Sequence, residues 1–79
     1  MWYVYILKSK HEDWQYIGYS GTLKERLKNH NQGNVQSTKH YAPFTLEAFV
    51  AVKTKKKAEE LEKYFKTGSG RAVLQKRIL

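Results

Sequence analysis

Tyr16-Ile17-Gly18-Tyr19-Ser20-Gly21-Thr22-Leu23-Lys24-Glu25-Arg26-Leu27-Lys28-Asn29-His30 joins the end of a strand to the start of a helix. Side chains alternate along a strand, so Tyr16 and Gly18 share one face. Gly18 leaves that face bare and opens the backbone there to a large group. Thr22-Leu23-Lys24-Glu25 has the capping-box form, which predicts a helix starting at Leu23. Leu23 and Leu27 form its core stripe. Arg26 and His30, four apart, flank that stripe and are held near the sheet, while Lys24 and Lys28 lie further round toward solvent. The helix is expected to end within 31–33, where Asn31 and Gly33 allow a left-handed cap.

Working outward, residues 2–7 are dense in β-formers and predict a first strand. Tyr3, Tyr5 and Leu7 share one face and Trp2, Val4 and Ile6 the other. Both faces are apolar, which places this strand at the centre of a sheet. Residues 14–19 predict a second strand in a hairpin with the first, with Tyr5 and Tyr16 on one face. Residues 45–53 predict a third, with Leu46, Ala48, Val50 and Val52 on one face and Phe49 and Ala51 on the other. A second helix is expected from about Thr54, with Ala58, Leu61 and Phe65 as its stripe and Glu62 on the border. Gly68-Ser69-Gly70 reads as a break before a last short helix over 71–79, docked by Ala72, Leu74 and Ile78. The expectation is an α/β fold of order β-β-α-β-α-α, a three-stranded antiparallel sheet with strand 1 central and flanking helices.

The chain has 79 residues, which is one domain over 1–79. Its net charge of +8 and pI near 9.8 favour a polyanionic partner, nucleic acid above all. There is no cysteine, hence no disulfide scaffold and no thiolate metal site, in keeping with a reducing cytoplasm. No apolar run is long enough to span a membrane. His11, His30 and His40 lack zinc-ligand spacing. The loop over 33–43 carries Ser37-Thr38-Lys39, which either contacts a nucleic-acid backbone or simply connects the surface. Lys55-Lys56-Lys57 is either a solvated helix start or a phosphate contact, since cations are disfavoured at a helix N-terminus unless an anion joins them.

The set as a whole resembles the small stand-alone members of the GIY-YIG nuclease superfamily. Tyr3-Val4-Tyr5 stands at the first signature, with Tyr3 in place of the usual glycine. Tyr16-Ile17-Gly18 matches the second letter for letter, and Arg26, His30 and Glu62 follow in order. The resemblance implies a phosphodiesterase, with Tyr5, Tyr16, Arg26 and His30 catalytic and Glu62 holding a divalent cation, Mg2+ in the first instance. Tyr5 or Tyr16 would take the proton of the attacking water. A free tyrosine ionises near 10, so positive charge from Arg26, His30 and the metal would be needed to favour a tyrosinate. Gly18, Lys24, Lys28, Ser37, Thr38, Lys39 and Arg71 are the expected nucleic-acid contacts. The family asparagine that follows the metal-binding glutamate is missing; Ser69 or Gln75 is left to stand in for it.

On residues alone strand packing is the leading reading of the tyrosines, which the resemblance reverses, and Glu62 also reads as a helix-surface partner of Lys66. Two functions fit. One is a metal-dependent endonuclease that nicks DNA one strand at a time, structure- rather than sequence-selective; the other is a non-catalytic DNA- or RNA-binding module. One copy of each site residue and no spare apolar helix face predict a monomer.

Overall fold

In the computed structural model, which covers residues 1–79, β1 (Trp2–Ser9) lies between β2 (Gln15–Ser20) and β3 (Phe44–Val52), antiparallel to both. The central place of β1 follows from its apolar faces: Val4, Tyr5, Ile6 and Leu7 are all buried. Between the strands come α1 (Leu23–Asn31) and a short turn of 3-10 helix at Lys39–Tyr41. After β3 come α2 (Lys55–Phe65) and α3 (Gly68–Val73), the latter running into one π-type turn at Leu74–Ile78.

The two faces of the sheet carry two separate cores. Val4, Ile6 and Ile17 pack with Ala58, Phe65 and Leu74, so α2 and the chain's last turns cover one face. Tyr5, Leu7 and Phe44 form the other, closed by Leu23 and Leu27 of α1 and by Trp14 and Tyr41. Trp14 stacks on Tyr41 with ring centroids 3.9 Å apart and planes 11° apart.

Four local expectations are corrected. Leu46 does not share the face of Ala48, Val50 and Val52. A bulge lies opposite the Ile6–Leu7 step, where Ile6 pairs with Ala48 but Leu7 with Leu46. The extra residue, Glu47, breaks the alternation and turns Leu46 into the Tyr5 core. The predicted capping box is not formed, because Thr22 makes no side-chain cap bond; Ser20 Oγ instead accepts from the Thr22 N–H at 3.0 Å. α1 does end as expected, with Gly33 at φ 75°. Gly68-Ser69-Gly70 is a helix start rather than a break, with Thr67 as N-cap accepting from the Gly70 N–H at 3.0 Å. Ala72 is exposed and docks nothing; Leu74 and Ile78 carry that contact.

Gly70 marks the tightest approach in the fold. A Cβ there would fall 1.7 Å from the Tyr64 carbonyl oxygen, at the end of α2, whereas one on Gly68 would meet nothing within 4 Å. The two glycines therefore separate packing from propensity. Gly70→Ala is expected to cost about 3 kcal/mol or more, as backbone overlap has no side chain to yield. Gly68→Ala is expected to lie within about 1 kcal/mol of wild type. Denaturant midpoints of the two variants check this.

Candidate active site

The site is built around the hydroxyl of Tyr5. In the β1–β2 ladder Tyr5 stands opposite Gly18, and Leu7 opposite Tyr16, so both tyrosines share a face as expected. Gly18 is not bare. A Cβ there would lie 2.7 Å from the Tyr5 hydroxyl oxygen and 2.8 Å from the Tyr16 ring. The glycine makes room for Tyr5 to cross β2, and since it is buried it offers no surface to a nucleic acid.

Behind Tyr5 lies His30, fully buried on α1. Its Nε2 is 2.9 Å from the Tyr5 hydroxyl and its Nδ1 is 2.8 Å from Thr38 Oγ1. Thr38, also fully buried, has the Val35 carbonyl 3.5 Å away as its own acceptor. Its burial removes it from the nucleic-acid contacts expected of the loop; it holds His30 instead. Ser37 and Lys39, on either side, are exposed. In the arrangement where Thr38 donates to Val35 and accepts from Nδ1–H, the Nε2 lone pair is left for the Tyr5 O–H. The Arg26 guanidinium beside Tyr5 favours that arrangement, because it repels a hydroxyl proton and attracts the oxygen lone pairs.

Charge in the site differs from the expectation. Burial, with the Arg26 charge adding to it, lowers the pKa of His30 to about 4, so the ring is neutral at pH 7. It supplies no positive charge toward a tyrosinate. Burial pushes the Tyr5 hydroxyl above its ordinary value; Arg26 pulls the other way and Tyr16 adds to the rise. Tyr5 is thus a neutral phenol at rest.

Tyr5, Tyr16, Arg26 and Glu62 line one cavity of about 790 Å³. It gathers residues of both cores: the tyrosines and Arg26 belong with the α1 face, whereas Glu62 comes from α2. Glu62 also lies 3.6 Å from Lys66 Nζ, the helix-surface pairing that the sequence allowed. The carboxylate nonetheless faces the cavity and is mostly sheltered, its side chain 17% exposed against 49% for Lys66. Sequence reasoning missed Asn29, Glu25, Trp2 and Tyr19, which line the same cavity, as does Lys55 from the run read as either a solvated helix start or a phosphate contact. For Asn29 the signal was available, since it falls three after Arg26 on a face already singled out. Asn29 brings an amide to this cavity from α1, while Gln75, the amide that follows Glu62, lies elsewhere. Arg71 and Gln75 line a second cavity with Asp13, Trp14 and Ile17 that shares no residue with the first. Lys24 and Lys28 are exposed on α1.

The fold has a central tyrosine-bearing strand, and in this basic protein one cavity joins tyrosine, arginine and glutamate. The family model described as the GIY-YIG catalytic domain matches residues 1–77, and the chain belongs to that family of nuclease domains. Among curated relatives, the UPF0213 protein YazA of Bacillus subtilis (strain 168) is 37% identical over 65 residues, 81% of this chain and 65% of its own length. The UPF0213 protein CPE1444 of Clostridium perfringens (strain 13 / Type A) is 39% identical over 65 residues, 81% of this chain and 69% of its own. The match thus spans slightly less than two thirds of the first relative. No solved structure matches. No helix is long and apolar enough to cross a membrane.

The buried neutral histidine gives a pH signature. Its folded pKa, about 4, lies below the roughly 6.5 of an unfolded chain, so the unfolded state binds more protons between these values. The stability tied to neutral His30 is complete above about pH 6.5 and is lost as pH falls toward 4. The loss is on the order of 3 kcal/mol. Urea denaturation across that range is expected to show it, and a His30→Gln variant to show a flatter profile.

Proposed function

We propose that the protein is a metal-dependent endonuclease acting on DNA, in which Tyr5 takes the proton of the attacking water and passes its own to His30. The observation that supports this reading is the line Tyr5–His30–Thr38, in which the phenol is hydrogen-bonded to a buried imidazole beside a cavity shared with Arg26 and Glu62.

His30 is a poor base at rest, and part of the cause is the Arg26 charge. A phosphate bound by Arg26 would neutralise that charge and bring its own, and both changes favour the imidazolium. Substrate binding would thereby prepare the acceptor for the relayed proton. The planar Arg26 guanidinium suits two oxygens of the scissile phosphate. Tyr16, against both Tyr5 and His30 with ring centroids 6.2 and 5.1 Å away, packs the relay from the cavity side.

The donor set fits a hard cation that retains its waters. No three His, Asp or Glu side chains come together as a cage. Mg2+ needs only one or two carboxylates, with the substrate and water completing its shell. Glu62 is the residue that would hold it, and Lys66 is the charge it would have to displace. When bound, such a cation polarises the phosphate and stabilises the leaving oxygen.

One site aligns one phosphate, so the expected product is a nick. Lys24, Lys28, Ser37 and Lys39, all exposed, are proposed to steer the nucleic-acid backbone without reading bases. Arg71, at the second cavity, would add to the same general attraction.

Purified protein incubated with nicked, branched, single-stranded and duplex DNAs, and with RNA, is expected to cleave in Mg2+ and not in EDTA. Supercoiled plasmid is expected to pass through an open-circular form before any linear form. Tyr5→Phe, Arg26→Ala and Glu62→Gln are each expected to lower the rate about a hundredfold or more, the usual scale for a lost acid-base or electrostatic group. Only Glu62→Gln should raise the Mg2+ concentration needed for half-maximal rate. Absence of Mg2+-dependent cleavage across the whole panel would turn the reading to a non-catalytic nucleic-acid-binding module.

A further inference from the structure

The cavity that holds the proposed catalytic set continues beyond it. Its volume, about 790 Å³, falls in the range of roughly 300–1,000 Å³ that encloses whole small molecules, more than one phosphate occupies. Trp2, Ser20, Gly21 and Lys55 line it as well, and Lys55 stands seven residues before Glu62 on α2, about two turns or roughly 10 Å along the helix. We infer that this far end is a subsite for the phosphodiester next to the scissile one, with Lys55 as the contacting cation and Trp2 as the surface that positions it.

Lys55 is set apart from the other lysines of its run. Lys56 and Lys57 line a separate small depression with Thr54 and Glu60, whereas Lys55 alone faces the large cavity. Its ammonium lies 5.9 Å from the centroid of the Trp2 ring. An aromatic face holds a cation without neutralising it, and so leaves it available to an anion. No carboxylate pairs with Lys55; the protein's ion pair is Lys66 with Glu62. Trp2 is itself fixed, with Tyr19 at 6.3 Å between centroids and the backbone of Gly21 alongside. The other charges facing the cavity are Arg26, assigned above to the scissile phosphate, and the carboxylates of Glu25 and Glu62. Glu25 is exposed and its repulsion of an anion is screened by water. Lys55 is thus the one cation of the cavity that the proposed chemistry leaves unused.

This inference rests on the nuclease reading, and it is tested with the register fixed by the cut itself. A synthetic DNA of the cleaved type is prepared with a single neutral methylphosphonate, moved one linkage at a time, and the cleavage positions are mapped on a gel. Wild type is expected to lose roughly three- to tenfold in rate at a bond whose neighbour on one side is neutral. Lys55→Gln is expected to start lower by the same factor on normal DNA and to be indifferent to that substitution. Lys55→Arg should regain the sensitivity, and Lys56→Gln should behave as wild type. A Lys55→Gln enzyme as sensitive as wild type at every linkage would overturn the subsite. A parallel arm measures binding of unmodified oligonucleotide in EDTA and needs no turnover. There Lys55→Gln should weaken binding more than Lys56→Gln does, and equal losses would overturn the inference. Absence of wild-type cleavage would instead count against the nuclease reading, with the binding arm still deciding the role of Lys55.

Discussion

Tyr5 has to be in two places. Its backbone is the middle of the central strand, and its hydroxyl must reach a cavity at the far side of β2. Gly18 is what reconciles them, because any side chain opposite Tyr5 would block the crossing at 2.7 Å. Once across, the hydroxyl needs a partner away from bulk water, and His30 provides it at 2.9 Å. His30 in turn needs its second nitrogen satisfied, which draws Thr38 and its loop inward. The placement of α1, the course of the loop after Gly33 and the shape of the second core thus follow from seating one phenol.

The electrostatics follow the same geometry. A basic surface is arranged around a site whose inner groups are neutral: Tyr5 keeps its proton and His30 lacks one. Only Arg26, Lys55, Glu25 and Glu62 bring formal charge to the cavity. In the proposed function, long-range attraction and proton transfer therefore fall to different residues, the first to exposed lysines and the second to buried rings. An interior His30 that was already charged would have no capacity to accept a proton and would carry the cost of an unpaired buried cation.

Much of this was legible in the sequence because it depended on periodicity. The two apolar faces of 2–7 placed β1 centrally, and the stripe of Ala58, Leu61 and Phe65 set Glu62 on the border of α2. The spacings of Tyr5, Tyr16, Arg26, His30 and Glu62 only permitted a shared site, which the resemblance to the GIY-YIG family implied; four of them line one cavity, with His30 behind. What escaped were features in which a contact overrides a local pattern. The bulge at Glu47 sends Leu46 to the face opposite Ala48, and strict alternation has no means of showing this. Gly68-Ser69-Gly70 has the composition of a break, yet Gly70 is glycine because α2 touches it. Thr38 sits in a polar run that reads as surface, and only the distance to a histidine eight residues earlier reveals it as interior. Lys55, Lys56 and Lys57 are alike as letters; their separation depends on where Trp2 lies.

The division of the molecule into two cores also bears on how the chain is made. Tyr5, Tyr16, Arg26 and His30 all belong to the first half, which emerges earlier during synthesis, whereas Glu62 and Lys55 arrive with α2. Until β3 is in place β1 lacks one neighbour, and until α2 docks, the cavity lacks Glu62, its sheltered carboxylate. A partly made or partly unfolded chain thus holds Tyr5, Tyr16 and His30 but not the Glu62 carboxylate. In a protein that would cut nucleic acid, this works as an interlock: cutting would be confined to the completed fold.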